Sequence, residues 1–385
     1  MAIDRVILSS PVPPQYLCLS YFTSMKNVDD HPILKGGCWC RIGLFHLAYL
    51  PRLDGGTLFI DFNLPCLIAG DNIHSIWCLN LQDLWERVYT ALLPVARLAS
   101  ANRDDGIKHL RYWKVSYYEF NFDLIMAADH IQSYYEALTK MKLPRLDRID
   151  EYDPLGTIYN LSNETLKDSN IIERAYLKLP ERLSHWKGNM PDYYQLPELV
   201  KLLPGQEILR IETAHYRPKI RYDFKEGKDI PHYEESPVGL FQYNASTDFP
   251  GSFQDIMSYE FQKYSFNRIV GKYHLDKIIT TRTKLYEIMN TSAMFTTRTA
   301  STAKKVIRYL NGDTDTPPCS RKQINHYKRL ILDAGYHYIT SEVELPPVTL
   351  ESIMDSLTDR QKELINQYRS SDLIRDNLKQ LRLRD

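Results

Sequence analysis

The sequence predicts an α+β fold: an antiparallel sheet with helices packed on one face, followed by a mainly helical, winged-helix-like C-terminal region. Short apolar and aromatic runs bounded by Pro, Gly, Asp or Asn indicate strands over much of the first 225 residues. Segments with apolar residues at helical spacing interrupt these runs. The order strand, helix, strand, helix, strands indicates an α+β sheet with helices packed on one face.

The predicted elements of the first 225 residues are strands and three helices. The predicted strands are Tyr16–Phe22, Trp39–Leu47, Gly56–Asp61, Trp113–Phe122, Thr157–Leu161, Ile172–Lys178 and Glu207–Tyr216. The predicted helices are Leu81–Ala99, Leu124–Lys142 and Leu196–Leu203. In the first helix, Leu84, Val88 and Leu92 recur at a spacing of four, which is typical of an apolar helix face.

The best domain boundary falls in residues 224–258, which are rich in Pro, Gly, Asp and Tyr. We therefore divide the chain into four parts by their composition. These are a first domain over 1–235, a linker over 236–258, a basic region over 259–347 and a helical tail over 348–385.

The basic region has a positive net charge that the zero net charge of the whole chain does not reveal. The net charge of the 385 residues is zero, yet residues 261–330 contain fourteen Lys or Arg and four Asp or Glu. The sequence predicts two helices here, Thr302–Leu310 and Arg321–Ala334, and an extended segment over Tyr336–Leu345. Helix, loop, basic helix and ribbon is the order of a winged helix-turn-helix. A surface helix with a solvated basic face explains the same pattern, so both interpretations stay open.

The remaining composition indicates a cytoplasmic protein without a membrane segment. Six scattered cysteines form no pair of CxxC motifs, and no basic stretch followed by an apolar one resembles a signal peptide. Apolar runs are far shorter than the ~20 residues that cross a bilayer. The 27 tyrosines favour sheet packing and single out no residue by themselves.

Two predicted strands present carboxylates on one face. Side chains alternate along a strand, so Glu119 and Asp123 share a face of the first, with Tyr117 and Asn121. Glu212 shares a face with Arg210 on the other strand. Carboxylate oxygens bind hard divalent cations, but a solvated strand face or an ion pair explains the same residues.

A third strand places Tyr176 on a polar face between Arg174 and Lys178. A phenol has a pKa of about 10, and neighbouring positive charge favours its ionised form. The same cations attract phosphate. The sequence thus predicts a reactive tyrosine, while a tyrosine lying over long basic side chains is the structural alternative.

Four segments in order resemble the motifs of the filamentous-phage gene II (gene X) replication initiators and the related Rep_trans plasmid rolling-circle initiators. The segments are Tyr117-Tyr118-Glu119, Gly156-Thr157-Ile158-Tyr159, Tyr176-Leu177-Lys178-Leu179-Pro180-Glu181 and Arg210-Ile211-Glu212. Two flanking stretches, Asn63–Asn72 and Ser320–Gly335, resemble further parts of that family. The sequence departs from the family pattern at Glu119, where Asp is usual, and at Tyr117, where Arg is usual.

The resemblance implies a nicking-joining enzyme that initiates rolling-circle DNA replication. Tyr176 is then the nucleophile with Lys178 beside it, and Glu119, Glu212 and Asp123 are metal-site residues for Mg²⁺ or Mn²⁺. Tyrosine attack yields a 5′-phosphotyrosine, a free 3′-OH primer and later rejoining. The implied DNA-contacting residues are Arg174, Arg210, Lys304, Lys305, Arg321, Lys322, Lys328 and Arg329.

The implied partners are origin DNA and the host helicase and polymerase, and the sequence leaves open whether the chain forms a homo-oligomer. Two other functions fit the sequence. A DNA-binding regulator without catalysis needs only the basic region, and a metal-dependent nuclease uses water instead of Tyr176.

Overall fold

The fold was analysed in a computed structural model. The structure describes residues 2–11, 22–24, 37–42, 45–52, 55–69, 113–143, 145–149, 156–163, 169–185, 204–226, 252–257 and 259–355, together with residues 14, 17 and 20.

Its centre is a ten-stranded antiparallel sheet, in which the strand order is β2-β3-β4-β5-β1-β6-β10-β9-β8-β7. The strands are β1 (Ala2–Pro11), β2 (Thr23–Ser24), β3 (Cys38–Ile42), β4 (Phe45–Arg52), β5 (Gly55–Asn63), β6 (Lys114–Ala127), β7 (Asp147–Ile149), β8 (Ile158–Leu161), β9 (Ile171–Leu177) and β10 (Gln206–Tyr216). This sheet confirms the predicted α+β class with a large antiparallel sheet and several helices.

The described helices lie mostly in the C-terminal third. They are α1 (Leu64–Ala69), α2 (Ala128–Lys140), α3 (Lys178–His185), α4 (Arg217–Glu226), α5 (Phe253–Met257), α6 (Tyr259–Tyr273), α7 (Arg282–Thr291), α8 (Thr297–Leu310), α9 (Arg321–Asp333) and α10 (Leu350–Asp355).

The main apolar core lies between the sheet and helices on one side, which we call the back face. Phe122 of β6 contacts Phe266 of α6 with ring centroids 5.1 Å apart, and Tyr118 contacts Phe261 at 5.4 Å. Burial of these large rings is the dominant stabilising contribution, at roughly 25 cal/mol per Å² of apolar surface. The opposite side of the sheet, which we call the front face, carries Glu119, Arg174 and Glu212.

Helix α6 also makes buried polar contacts with the back face. Lys272 donates to Glu173 of β9 at 2.7 Å, and the Arg268 guanidinium lies 2.7 Å from Nε2 of His215 on β10. One continuous core cluster includes residues of the sheet and of helices α5 to α10. The residues before and after position 258, the last residue of the predicted linker, therefore share one apolar core.

Strands β1–β5 and strands β6–β10 repeat one arrangement. In each set the first strand pairs with the fifth, the fifth with the fourth, the fourth with the third and the third with the second. The two first strands, β1 and β6, pair antiparallel at the middle of the sheet, where Val6 lies opposite Tyr118. Helices α1 and α4 begin directly after the two fifth strands. The sheet is thus two copies of one five-stranded unit, related by an approximate two-fold axis at the Val6–Tyr118 pair.

Several elements differ from the predictions. Strand β1 was not predicted, because its Val-Ile-Leu run does not alternate with polar residues. The predicted strand Trp39–Leu47 is two paired strands, β3 and β4, because its apolar residues run across the turn. Residues 124–127, predicted as helix, continue strand β6 because they pair with β10. Lys178, predicted in a strand, is the first residue of α3.

In the C-terminal third, α8 contains the predicted helix Thr302–Leu310, and α9 matches the predicted helix Arg321–Ala334 to within one residue. Instead of the predicted extended segment over Tyr336–Leu345, the structure has single bridges at its ends, from Tyr336 to Ile278 and from Leu345 to Ile279.

Some predicted elements lie outside the described residues. These are helices Leu81–Ala99 and Leu196–Leu203, most of strand Tyr16–Phe22, most of the linker and the tail beyond residue 355. In the described part of the chain, no helix has the length and apolar character needed to cross a membrane.

The buried His215 predicts a pH-dependent stability. Burial and the charge of Arg268 lower its pKa from 6.5 to about 4, despite the opposing effect of Asp223. The unfolded chain therefore binds more protons between these pH values, and stability falls as pH falls from 6.5 towards 4, by up to about 3 kcal/mol. We expect His215→Gln to reduce this fall in urea denaturation measured from pH 7 to 4.

The matched control is the same substitution at an exposed histidine of α9, His326→Gln. The buried His337, whose pKa is lowered to about 3, contributes in the same direction as His215. A pH profile of His215→Gln identical to that of the parent would contradict this assignment.

Candidate functional site

The front face brings residues from β6, β9 and β10 together around Arg174. The register places Arg174 opposite Glu212, and Nη2 of Arg174 forms ion pairs with Oε1 of Glu212 and, at 3.2 Å, with Oε1 of Glu119. Tyr117 donates its hydroxyl to Glu119. One guanidinium thus bridges carboxylates from two strands, which the sequence analysis placed on polar strand faces.

Tyr176 lies next to this bridge. It faces Arg210 in the register, and its hydroxyl donates to Oε2 of Glu212 at 2.9 Å. Glu212 therefore accepts from the phenol with one oxygen and pairs with Arg174 through the other. This joins a candidate nucleophile, a carboxylate base and a guanidinium that orients the base.

The ionisation of Tyr176 differs from the sequence-based expectation. Burial raises the pKa of the phenol above its ordinary value of 10, and the charges of Arg210 and Arg174 offset this only in part. The side chain is 7% exposed, so loss of solvation outweighs the neighbouring cations. The phenol is protonated at neutral pH, and an attack by its oxygen requires a base.

Arg210 and Asp123 form a separate buried pair. The guanidinium donates to both Asp123 oxygens, at 2.7 and 3.0 Å, and lies 3.6 Å from Asp4. Arg210 is 0% exposed, so its contacts are with the protein and not with solvent. Burial raises the pKa of Asp4, with Arg210 opposing and Glu119 adding to this effect.

Lys178 borders the tyrosine at the start of α3. Its Nζ lies 5.5 Å from the centroid of the Tyr176 ring and donates to Glu181 at 2.9 Å. Burial lowers the pKa of Lys178, and Arg210 lowers it further, while Glu181 and Asp4 oppose the shift. The helix start thus adds a second buried cation, after Arg210, beside the phenol.

The predicted metal ligands fit a divalent cation in part. Glu119 and Glu212 direct oxygens at one place, as a hard cation requires. Asp123 does not join them, since its two oxygens accept from Arg210. Within the described ranges, no three or more His, Cys, Asp or Glu side chains are grouped to hold a metal ion. A guanidinium lies between the two glutamates instead.

The two-fold relation identifies the first-copy residues that occupy the positions equivalent to the site residues of the second copy. The strand registers give four pairs of equivalent positions in the two copies. They are Glu119 and Ile7, Arg174 and Ala48, Tyr176 and Leu50, and Glu212 and Phe59. The first-copy residues are apolar and contribute to a small front-face cluster, which also contains Tyr117, Leu161, Ile172 and Ala214 of the second copy. The five-stranded unit therefore packs without charge there, and the charged set of the second copy is a property of the site and not of the fold.

The structure adds residues that the sequence analysis did not assign to the site. Asp4 was missed because β1 was not predicted as a strand. Its side chain accepts from Asn63 at 2.6 Å and from Asn121 at 3.2 Å. Arg5 forms a two-bonded ion pair with Asp61, at 2.7 and 2.9 Å. The pairing of β1 with β5 and β6, which sequence periodicity does not reveal, brings these groups to the front face.

The predicted basic residues of α8 and α9 differ in what surrounds them. Lys305, Arg321, Lys322 and Arg329 are exposed. Lys304 is half-buried and donates to Asn290 at 2.7 Å. Lys328 is half-buried over the Tyr338 ring, 4.3 Å from its centroid, and burial lowers its pKa.

Helix α9 begins with a capping box of Ser320 and Gln323, which fixes Arg321 and Lys322 in the exposed first turn.

Comparison with known proteins identifies no relative: no protein-family model matches the chain, and no curated protein is significantly similar to it in sequence.

The buried pair of Arg210 and Asp123 predicts a strong effect on stability. Arg210→Met leaves Asp123 buried without its partner, which should lower the free energy of unfolding by about 3–5 kcal/mol. Adding Asp123→Leu removes the uncompensated charge and should restore much of this loss. Urea denaturation of both variants measures the effect.

An exposed pair, Arg329 and Asp333 at 3.7 Å, is the matched control. Arg329→Met should change stability by less than about 1 kcal/mol. Equal effects of Arg329→Met and Arg210→Met would contradict the buried-pair assignment.

Proposed function

We propose that this protein nicks one DNA strand by tyrosine transesterification and initiates rolling-circle replication. The observation that carries the proposal is the hydrogen bond from Tyr176 to Glu212, with Glu212 held by Arg174. The resemblance to gene II and Rep_trans initiators, which names these same strands, supports it from the sequence.

The chemistry follows from these contacts. As the Tyr176 oxygen attacks a backbone phosphorus, Glu212 accepts the phenolic proton, which compensates for the raised phenol pKa. The new bond joins the tyrosine oxygen to phosphorus, and the bond from phosphorus to the 3′ oxygen breaks. The departing 3′ oxygen takes up a proton and becomes a primer hydroxyl. Reversal by a later 3′-OH rejoins the strand without ATP.

The charged front face suits this reaction better than a structural role. Burying several charges costs free energy that apolar residues do not cost. The first copy of the five-stranded unit has apolar residues at the equivalent positions. Buried, mutually shifted ionisable groups that the fold does not require are typical of active sites.

A divalent cation, Mg²⁺ or Mn²⁺, belongs to the proposal because of the resemblance and the two converging glutamates. Glu119 and Glu212 are the residues that would hold it, and Asp123 is better assigned to the pair with Arg210. When bound, such a cation stabilises negative charge on a phosphate.

We assign duplex binding to the basic region. Helices α7 to α9, with bridges at Tyr336 and Leu345, support a winged-helix-like arrangement. Lys305, Arg321 and Lys322 make no ion pair among the described residues and are the best candidates for phosphate contacts. By contrast, Arg282 and Arg308 both bind Asp313.

The remaining parts of the proposal come from the sequence. Origin DNA is the partner, the host helicase and polymerase act after nicking, and the reaction takes place in the cytoplasm. Among the cations beside Tyr176, Arg174, whose side chain is 26% exposed, is the one best placed to meet a phosphate.

The nucleophile assignment predicts a covalent adduct. A pool of random single-stranded oligonucleotides labelled at the 3′ end, incubated with the protein and Mn²⁺, should give a protein–DNA band on a denaturing gel. Tyr176→Phe should reduce the band by at least about 10³-fold, since no other group replaces the attacking oxygen. Glu212→Gln should reduce it by about 10²–10⁴-fold.

Tyr222→Phe, on the exposed side of α4, is the control and should leave the band unchanged. Peptide mapping should place the nucleotide on Tyr176. Cleavage without an adduct would favour the hydrolytic nuclease, and binding without cleavage would favour the non-catalytic regulator.

The basic region predicts a separable loss of duplex binding. Single Lys305→Ala, Arg321→Ala and Lys322→Ala variants should each weaken duplex affinity and lower the slope of log affinity against log salt by about 1. Fluorescence anisotropy with labelled duplex measures both. Lys140→Ala, exposed at the end of α2, is the control. Unchanged slopes in all three variants would remove this surface from the proposal.

A further inference from the structure

The two arginines nearest Tyr176, Arg210 and Arg174, differ in how firmly they are held. Arg210 is fully buried, and its guanidinium makes two hydrogen bonds to one carboxylate, Asp123. Arg174 has a side chain that is 26% exposed and is shared between Glu119 and Glu212 through a single nitrogen. Glu212 beneath it is only 1% exposed. A ligand that approaches the front face from solvent therefore meets Arg174 before it meets the carboxylates.

The place between Glu119 and Glu212 holds one cation at a time. Oε1 of each glutamate contacts the same guanidinium nitrogen of Arg174, so the two carboxylates converge on a place that one cation fills. A guanidinium and a hard divalent cation would use the same oxygens, and occupation by one opposes binding of the other.

We propose that Arg174 is a displaceable counter-ion, which closes the Glu119–Glu212 pair to divalent cations until a DNA phosphate draws its guanidinium away. This rests on the proposed nicking function and concerns the regulation of the same site. Guanidinium binds phosphate through two parallel hydrogen bonds, which compensates for the lost contacts with the carboxylates. Cation and DNA strand then bind cooperatively, so the site assembles only when a phosphate is present.

The alternative is a fixed Arg174, which orients Glu212 and never leaves it. The two differ in what removal of the guanidinium does to metal affinity. With a displaceable Arg174, an uncharged residue opens the pair to metal. With a fixed Arg174 whose loss disorders the pair, metal affinity does not rise.

The experiment measures Mn²⁺ binding by electron paramagnetic resonance in the full chain carrying Tyr176→Phe, so that no strand is cut. We expect Arg174→Gln to raise Mn²⁺ affinity about tenfold or more in the absence of DNA. Single-stranded oligo(dT) should raise the affinity of the Tyr176→Phe parent by a similar factor, but not that of the Arg174→Gln variant.

Arg174→Lys keeps a positive charge and should bind Mn²⁺ as weakly as the parent. Glu119→Gln combined with Arg174→Gln should abolish the gain, which locates the ion at the pair and separates it from Mn²⁺ bound to DNA. Thermal denaturation followed by circular dichroism checks that each variant is folded.

Unchanged or weaker Mn²⁺ affinity in folded Arg174→Gln would overturn the proposal, as would an equal DNA effect in both proteins. The DNA-free measurement does not depend on nicking. A gain in Mn²⁺ affinity without any Tyr176 adduct in the nicking assay would therefore retain the competition and reject the enzyme.

Discussion

The bridge that Arg174 forms between Glu119 and Glu212 is the interaction on which the front face depends. It balances two carboxylates that strands β6 and β10 bring together, and it orients the oxygen that accepts from Tyr176. Without a cation there, the two carboxylates would repel each other, and Glu212 would no longer be held beside the Tyr176 hydroxyl. The acid–base properties of the site thus follow from a single guanidinium.

The internal two-fold relation allows the bridge to be compared with the equivalent positions of the first copy. Both copies of the five-stranded unit present the same backbone positions on the front face, yet at the positions equivalent to Glu119, Arg174 and Glu212 the first copy has apolar residues. The charged pair of the first copy, Arg5 and Asp61, lies elsewhere on this face. Replacing buried ion pairs by well-packed apolar residues is often neutral or stabilising. Because the first copy has apolar residues at these positions, charged residues there are not required for the stability of the fold. We therefore attribute the charged residues of the second copy to the proposed reaction and not to the stability of the sheet.

The sequence predicted the residues of the candidate site more accurately than it predicted the strands of the sheet. Alternation along β6, β9 and β10 placed Glu119, Arg174 and Glu212 on polar faces, because period-two patterns are local. It did not predict that burial outweighs charge at Tyr176, since burial depends on every neighbour at once.

Long-range pairing explains the other differences. Strand β1 and residues 124–127 take their structure from partners far away in the chain, and tertiary pairing overrides local propensity there. The two-fold relation was likewise invisible, because equivalent positions such as Ile7 and Glu119 share a backbone place and no side-chain chemistry.

The central claim, that the front-face charges serve chemistry and not the fold, is tested most directly by the free energy of unfolding of one variant. Glu119→Leu, Arg174→Met, Tyr176→Phe and Glu212→Leu together replace the charged set by residues of similar volume. Our account predicts cooperative urea unfolding within about 2 kcal/mol of the parent. A loss of folding, or destabilisation well beyond that range, would show that the charges hold the sheet together and would contradict the account.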